Sequence, residues 1–351
     1  MTSHDAGVRH INIPIFVPHM GCPNTCVFCD QRRISGTIAP VSAEDVKETI
    51  DKYLAASSGE DYVEIAFFGG SFTGIPRNQM TAYLETAKEY LDMGFAHGIR
   101  ISTRPDYIDH EILDILKKYG VRIIELGVQS MDDDVLAISK RGHTSKDVIK
   151  AVGLIKGHGF ECGIQIMPGL PGDTLKKSMG TAKKVVELAP SQARIYPAIV
   201  LKGTEMEKMY RNGSYTPLTL EEAVEWCAMM VPMFREAGIR IIRLGLHYSE
   251  FLEDSVVAGP FHPAFGELVE ARVILDRIIG IIEEKGLKGL PGIEIHTWKG
   301  ALSKTIGHNR ANIKALKARY GYGRIRVGEC DLPSGQIRVF ALYGGDKHER
   351  N

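Results

Sequence analysis

The chain reads as an α/β protein: a partial or complete parallel (β/α) barrel of six or more units, followed by a C-terminal α+β appendage. Three observations predict it. Apolar runs of strand length alternate with longer amphipathic stretches from residue 11 to residue 244. The runs are nearly continuous in apolar residues, as in a parallel sheet buried on both faces. Many of them end in polar or glycine-rich motifs, which is where barrel enzymes place their chemistry.

Residues 11–17 form the first predicted strand, which ends at a cysteine-bearing loop. A helix follows over 43–56, with Ser42 as N-cap and the acidic Asp45 in its first turn. Residues 62–68 are a strand stopped by Gly69-Gly70, 80–93 a helix, and 99–103 a short strand. The helix over 110–119 ends at Gly120. The strand over 121–128 carries one acid, Glu125. A helix over 145–158, a strand over 161–167, a helix over 175–188 and a strand over 193–200 continue the alternation. The helix over 220–237 and the strand over 239–244 complete it. Residues 1–245 are therefore assigned to the barrel and 246–351 to the appendage. In the appendage, 264–284 reads as one long helix, 293–297 as a strand and 309–320 as a helix. Residues 323–329 and 336–343 read as a hairpin around Leu332-Pro333-Ser334-Gly335. The loop from Gly259 to Glu267 is a candidate lid for the barrel mouth.

Of 351 residues, 44% are apolar and 25% charged, ordinary for a soluble globular protein. No window approaches the uninterrupted apolar length of a membrane span, and the N-terminus lacks the apolar core of a signal peptide. A cytoplasmic location is expected. The formal net charge is zero, yet residues 299–328 hold eight Lys/Arg and no acid, so the remainder carries −8.

Cys22, Cys26 and Cys29 form a C-x3-C-x2-C run directly after the first strand, with Phe28 before the last cysteine. Structural zinc wants four N/S ligands and closes its shell. A 4Fe-4S cluster also takes four thiolates as a rule. Three close thiolates leave one iron open to a small molecule, a geometry suited to chemistry. Cys162, Cys227 and Cys330 are scattered and read as buried small hydrophobes or exposed thiols. His247, Glu250, Glu253, Asp254, His262 and His308 are further metal-ligand types, read first as surface or satisfied core residues.

Strand ends supply the other candidates. Gly69-Gly70-Ser71 follows the second strand, where glycine permits a positive φ. Ser102-Thr103-Arg104-Pro105-Asp106 follows the third, and its arginine points toward a barrel mouth. Glu125 and Gln129 are polar insertions in an apolar strand and need partners if buried. Arg141 lies in Lys140-Arg141-Gly142-His143-Thr144, and Gln165 precedes Met167-Pro168-Gly169-Leu170-Pro171-Gly172.

With these motifs the chain resembles the radical S-adenosylmethionine superfamily. The resemblance implies a 4Fe-4S cluster on Cys22, Cys26 and Cys29 whose open iron takes S-adenosyl-L-methionine, and its reductive cleavage to a 5′-deoxyadenosyl radical. It implies that Gly69 and Gly70 contact the methionine amino group through backbone, with Ser71 where many members carry an acid. It places Ser102 where relatives often have Glu, Gln129 near the cofactor ribose, and Arg141 on the cofactor carboxylate. Gln165 falls where some relatives carry a ribose-binding acid. Phe28 and Arg104 complete the cofactor-binding set. No residue is assigned to the hydrogen abstraction itself.

The closer match is to the radical domain of the Elongator catalytic subunit. It rests on Ser102-Thr103-Arg104-Pro105-Asp106-Tyr107, Gly127-Val128-Gln129-Ser130, Arg141-Gly142-His143-Thr144, Met167-Pro168, Tyr196-Pro197 and Lys202-Gly203-Thr204. The cysteine loop departs from that subunit in its shorter spacing, and no acetyltransferase domain is expected. The implied partners are an electron donor such as flavodoxin or ferredoxin and a substrate that is either tRNA or a smaller molecule. Arg310, Lys314 and Lys317 share one predicted helix face, the place for an RNA backbone or else a plain solvated face. An oxygen-sensitive radical enzyme is the first reading. The alternative is a non-catalytic metal- or RNA-binding protein with a structural cluster or zinc.

Overall fold

The computed structural model describes residues 9–17, 26–29, 41–246 and 250–343. The chain divides into two compact units, Met1–Ala223 with Met233–Phe261, and Val224–Pro232 with His262–Asn351.

The first unit alternates strands and helices: β1 (His10–Val17), α1 (Ala43–Ala55), β2 (Tyr62–Gly69), α2 (Arg77–Asp92), β3 (Gly98–Thr103), α3 (His110–Lys118) and β4 (Val121–Gln129). There follow α4 (Asp133–Ile138), α5 (Ser145–Gly157), β5 (Glu161–Ile166), α6 (Leu175–Leu188), β6 (Gln192–Ile195), β7 (Val200–Leu201), α7 (Glu205–Arg211), α8 (Leu220–Glu236), whose middle, Val224–Pro232, falls to the second unit, and β8 (Arg240–Leu244). After these come a short helix, α9 (Glu250–Ser255), and β9 (Val256–Ala258), which pairs antiparallel with β7. Sequence signals set the helix starts. Ser42 accepts from the Asp45 amide at 3.1 Å, and the Asp45 carboxylate accepts from the Ser42 amide at 2.6 Å. Thr144 with Asp147 and Thr219 with Glu222 make the same reciprocal cap at α5 and α8.

Seven strands hydrogen-bond in the order β1-β2-β3-β4-β5-β6-β8, every neighbouring pair parallel. β1 and β8 stand at the two edges, so the barrel is the partial form, a curled half-barrel. The two faces of the sheet differ. Ile13, Ile65, Ile99, Ile101, Ile164 and Ile195, all 0% exposed, share one face. The other carries Glu64, Arg100, Ser102, Glu125, Gln165, Gln192 and Arg194, as the pleat and the register require. Side chains on this second face reach across several strands. Arg100 on β3 donates to Gln192 Oε1 on β6 at 3.2 Å. The Arg194 guanidinium on β6 sits 5.3 Å from the ring centroid of Phe68 on β2. In a flat sheet those two strands stand roughly 19 Å apart. Only curling brings them together, and it makes the polar face the concave one.

The second unit holds α10 (Phe265–Glu284), β10 (Gly292–Trp298), α11 (Leu302–Ile306), α12 (Ala311–Tyr320), β11 (Arg324–Cys330) and β12 (Ile337–Ala341). Ile274, Ile278 and Ile282 on α10, with Leu316 on α12, pack on Ile293, Ile295, Ile337 and Val339. Two expectations are corrected here. The segments read as a hairpin are not neighbours, because the sheet order is β11-β10-β12. β10 alternates buried Ile293, Ile295 and Thr297 and sits at the centre, where a strand pairs on both sides. The helical crossover makes β10 and β11 parallel, and β12 returns antiparallel on the other side. The second correction concerns Arg310. Asn309 (φ 49°) and Arg310 (φ 60°) are left-handed, so the helix starts at Ala311 and Arg310 stands outside it. No helix among the described residues is long and apolar enough to cross a membrane.

Arg100 and Glu64, 4% and 3% exposed, lie 3.3 Å apart, and His10 also meets Glu64 at 2.9 Å. Burial by itself pushes the Glu64 carboxyl up, but the His10 hydrogen bond and the Arg100 charge outweigh it and hold the group below its usual range. Arg100→Ala is therefore expected to cost about 3 kcal/mol in urea unfolding, because it strands a buried carboxylate. The double change Glu64→Leu/Arg100→Met should cost less than that single change.

Candidate active site

The cysteine loop is described over residues 26–29; Cys22 lies outside the described residues. Cys26 is 6% exposed and Cys29 half-buried, with the Cys29 amide turned back onto Cys26 O at 3.0 Å. Two backbone bonds pin the segment: the Val27 amide donates to Ser139 O at 3.2 Å, and Val27 O accepts from the Met206 amide at 2.7 Å. Phe28 packs between two small apolar clusters, one with Val200 and Met206, the other with Leu170 and Ala198. Its ring thus anchors the loop to segments that follow β5 and β6.

Gly69 and Gly70 close the end of β2 against β1. Gly69 has φ 108°, and a Cβ there would lie 2.5 Å from Val17 O, so only glycine fits. The Gly70 amide donates to Val17 O at 3.1 Å. Ser71 is wholly buried. Its hydroxyl meets Thr103 Oγ1 at 2.8 Å and accepts from the Arg104 amide at 3.2 Å. Thr73 joins the same hydroxyl group, 2.6 Å from Thr103 Oγ1. Arg104, 1% exposed, turns its guanidinium onto Asp106 through two bonds of 2.9 Å.

The end of β4 is strained. Gln129 holds φ 66°, which costs a non-glycine residue roughly 1–3 kcal/mol. The strain is retained because Gln129 O accepts from the Met167 amide at 2.8 Å and its side chain accepts from Gln165 Nε2 at 3.2 Å. Beside it, Arg141 donates to Gly127 O at 2.7 Å and lies 3.5 Å from Cys26 Sγ. Arg141 is 7% exposed, and its Nε has no partner. Among the described residues no carboxylate pairs with it. A buried guanidinium without a counter-charge is expensive. One edge against the loop thiolate and a further N–H free to bind make a fit for an anionic group carried by a cofactor at the cluster. Gly127 makes room: a Cβ there would lie 2.8 Å from Arg141 Nη2 and 2.9 Å from Gln129 Nε2.

Below this mouth the concave face carries a polar group that sequence reasoning identified only in part. Arg194 donates to Glu125 Oε2 at 2.7 Å and to the Tyr196 hydroxyl at 3.0 Å, and Ser102 Oγ stands 3.4 Å from Glu125 Oε1. Burial would lower the Arg194 pKa, but Glu125 and Tyr196 raise it above its ordinary value. Glu125 and Tyr196 were visible as a polar insertion and a motif residue. Arg194 was missed, although an arginine inside the apolar run over 193–200 was the available signal. His143, 3% exposed, was also passed over as a motif neighbour. Its Nε2 donates to Val128 O at 3.2 Å; burial first, then the Arg141 charge, lower its pKa to about 4.

Among the described residues no group of three or more His, Cys, Asp or Glu side chains is placed to hold a metal ion. Cys162 and Cys227 are buried, and burial pushes the Cys162 thiol up to about 12. Cys330 lies on β11 in the second unit. His247 falls outside the described residues, as do the side chains of Glu250 and Phe251. His262 and His308 approach each other in the second unit with ring centroids 6.2 Å apart.

Comparison with known proteins bears on this arrangement. A model described as the radical SAM superfamily matches residues 16–185, and one described as the Radical_SAM C-terminal domain matches 190–274. The chain is 34% identical to "Uncharacterized protein MJ0486" of Methanocaldococcus jannaschii, over 57% of this chain and 64% of that protein. It is 24% identical to a tRNA uridine(34) acetyltransferase of Dehalococcoides mccartyi, over 95% of this chain and 82% of that one. Human Elongator complex protein 3 is 30% identical over 53% of this chain and 38% of its own. Among solved structures, the archaeal Methanocaldococcus infernus Elp3 with an N-terminal deletion superposes with TM-score 0.59 at 23% identity, over 79% of this chain and 64% of that one. The match thus spans under two thirds of several of these relatives, and the structural likeness speaks for the fold.

Two outcomes follow from the geometry. Gly127→Ala is expected to displace Arg141 and Gln129 and to cost about 1–3 kcal/mol in chemical denaturation. His143 has a folded pKa near 4 against an ordinary 6.5, so the unfolded chain takes up the proton first as pH falls. Its contribution is complete above pH 6.5 and is lost between about 6.5 and 4. Between pH 7 and pH 5 that loss is about 2 kcal/mol, and His143→Gln should remove this share of the pH dependence when both proteins are unfolded at the two pH values.

Proposed function

The chain belongs to the radical SAM superfamily, and from that premise we propose that it holds a 4Fe-4S cluster on Cys22, Cys26 and Cys29 and binds S-adenosyl-L-methionine beside it. On this reading it is an enzyme of that class. When bound, the cluster and cofactor would supply one-electron radical chemistry suited to abstracting a hydrogen atom from a substrate. The observation that carries the reading is Arg141: a buried guanidinium 3.5 Å from Cys26 Sγ, with an unpartnered Nε and no carboxylate partner among the described residues. It would hold the cofactor carboxylate. Gly69 and Gly70 bring backbone to the mouth with no side chain in the way. Gln129 and Gln165, already bonded to each other, present the remaining amide groups to ribose hydroxyls. Phe28 and Ser71 support the loop and the strand end from behind. Arg104 serves through Asp106, and Ser102 through Glu125. The half-barrel must exclude water and oxygen while the radical exists.

The substrate we propose is a tRNA. The tRNA-modifying names of several relatives support it, as does the basic stretch that includes Arg310, Lys314 and Lys317. The electron would come from a flavodoxin or ferredoxin in the cytoplasm, where free thiols stay reduced.

Anaerobic reconstitution tests the reading. About four irons per chain, and 5′-deoxyadenosine on adding dithionite and S-adenosyl-L-methionine, are expected. One tightly held zinc and no 5′-deoxyadenosine would overturn it in favour of a structural metal site. Cys26→Ala should lose the cluster but keep the circular dichroism of the fold. Arg141→Lys should keep the iron and bind the cofactor at least tenfold more weakly, because an ammonium cannot offer the forked donor pair.

A further inference from the structure

The helices of the second unit share one core with a single face of its three-stranded sheet. Side chains alternate along a strand. Glu294, His296, Arg324, Arg326, Arg338 and Phe340 therefore stand on the opposite face. Register sets Arg326, Glu294 and Phe340 in one row and Gly328, His296 and Arg338 in the next. The face is open. A Cβ added to Gly328 would meet nothing within 4 Å, and Phe340 is 43% exposed. The Phe340 ring lies 5.1 Å from the His296 ring, and Lys285 Nζ stands 5.5 Å over it.

Charge on this face is one-sided. Among the described residues no carboxylate pairs with Arg324, Arg326 or Arg338, and the one acid present, Glu294, meets His296 at 3.1 Å. The helical face read from the sequence is less free: Lys317 donates to Gly323 O at 3.2 Å, and Arg310 stands outside the helix. An exposed Phe340 ring beside the half-buried His296 ring, among arginines that no described carboxylate pairs, suits a ligand with planar faces and regularly spaced negative charge. Bases of a single strand stack on such rings while phosphates meet the arginines. A duplex hides its base faces. A protein partner would favour an apolar centre, which this face lacks.

We propose that this sheet face binds single-stranded RNA. As the contact for a tRNA substrate the site rests on the function proposed above; as a binding surface it requires neither cluster nor cofactor. The test uses the full chain and a labelled single-stranded RNA of about 12 nucleotides, within the usual range of site sizes, beside a duplex of equal length. Tighter binding of the single strand is expected, weakening as salt rises. Arg324→Ala/Arg326→Ala/Arg338→Ala should lower the slope of log affinity against log salt by about 2, since each phosphate contact contributes about 0.7. Phe340→Ala should weaken the single strand roughly tenfold and the duplex hardly at all. Gly328→Asp, which the open space accommodates, should weaken both. All of these variants should still form 5′-deoxyadenosine without RNA, so failure of the surface and failure of the radical reading are separate results. Wild-type affinity in the triple variant, or equal loss of single strand and duplex in Phe340→Ala, would overturn the proposal. So would a wild-type protein that prefers the duplex.

Discussion

Arg194 holds Glu125 two strands away and lies over the ring of Phe68 four strands away. Each of these polar groups would be costly to bury alone. In a flat sheet they would be spread beyond one another's reach. Curling gathers them, and the same holds at the other end of the strands, where Arg100 links Glu64 to Gln192. The half-barrel and the pairing of its inner charges are thus one requirement seen twice. An apolar outer face supplies the driving force, and the polar inner face dictates the direction of the curl.

The mouth inherits its geometry from that curl. β4 ends inside the sheet, between β3 and β5, so whatever leaves its end has little room. Gly127 removes a side chain, Gln129 takes a left-handed backbone, and Arg141 fills the space they leave, close to Cys26. Several features that look independent in the sequence are one packing solution. Among the described residues no carboxylate balances the charge of Arg141, so the site keeps a cationic group where a core would be neutral.

The second unit solves its own burial differently. Its helices cover one side of a small sheet, which suffices to shelter Ile293, Ile295, Ile337 and Val339. The other side needs no cover because arginines and a histidine already suit it to water. A neutral chain can therefore carry a locally cationic surface without strain in its fold.

Much of this was legible in the chain itself. Strand and helix alternation, capping residues such as Ser42 and Thr144, and the apolar runs are local signals, so the parallel architecture and most element positions followed from them. The cysteine spacing and the strand-end motifs were legible for the same reason, since each lies within a few residues. Contacts between distant segments were not. Nothing local says that Arg194 reaches Phe68, or that Arg100 reaches Gln192. Nor does anything local put β10 between two segments that read as a hairpin, or left-handed backbone at Arg310 where periodicity continued a helix. The sequence by itself determined which elements form and which chemistry is available, because periodicity and caps act over one or two turns. Only the tertiary structure decided which charges are already paired and which, like Arg141, meet no carboxylate among the described residues, because that depends on how strands far apart in the chain meet when the sheet curls.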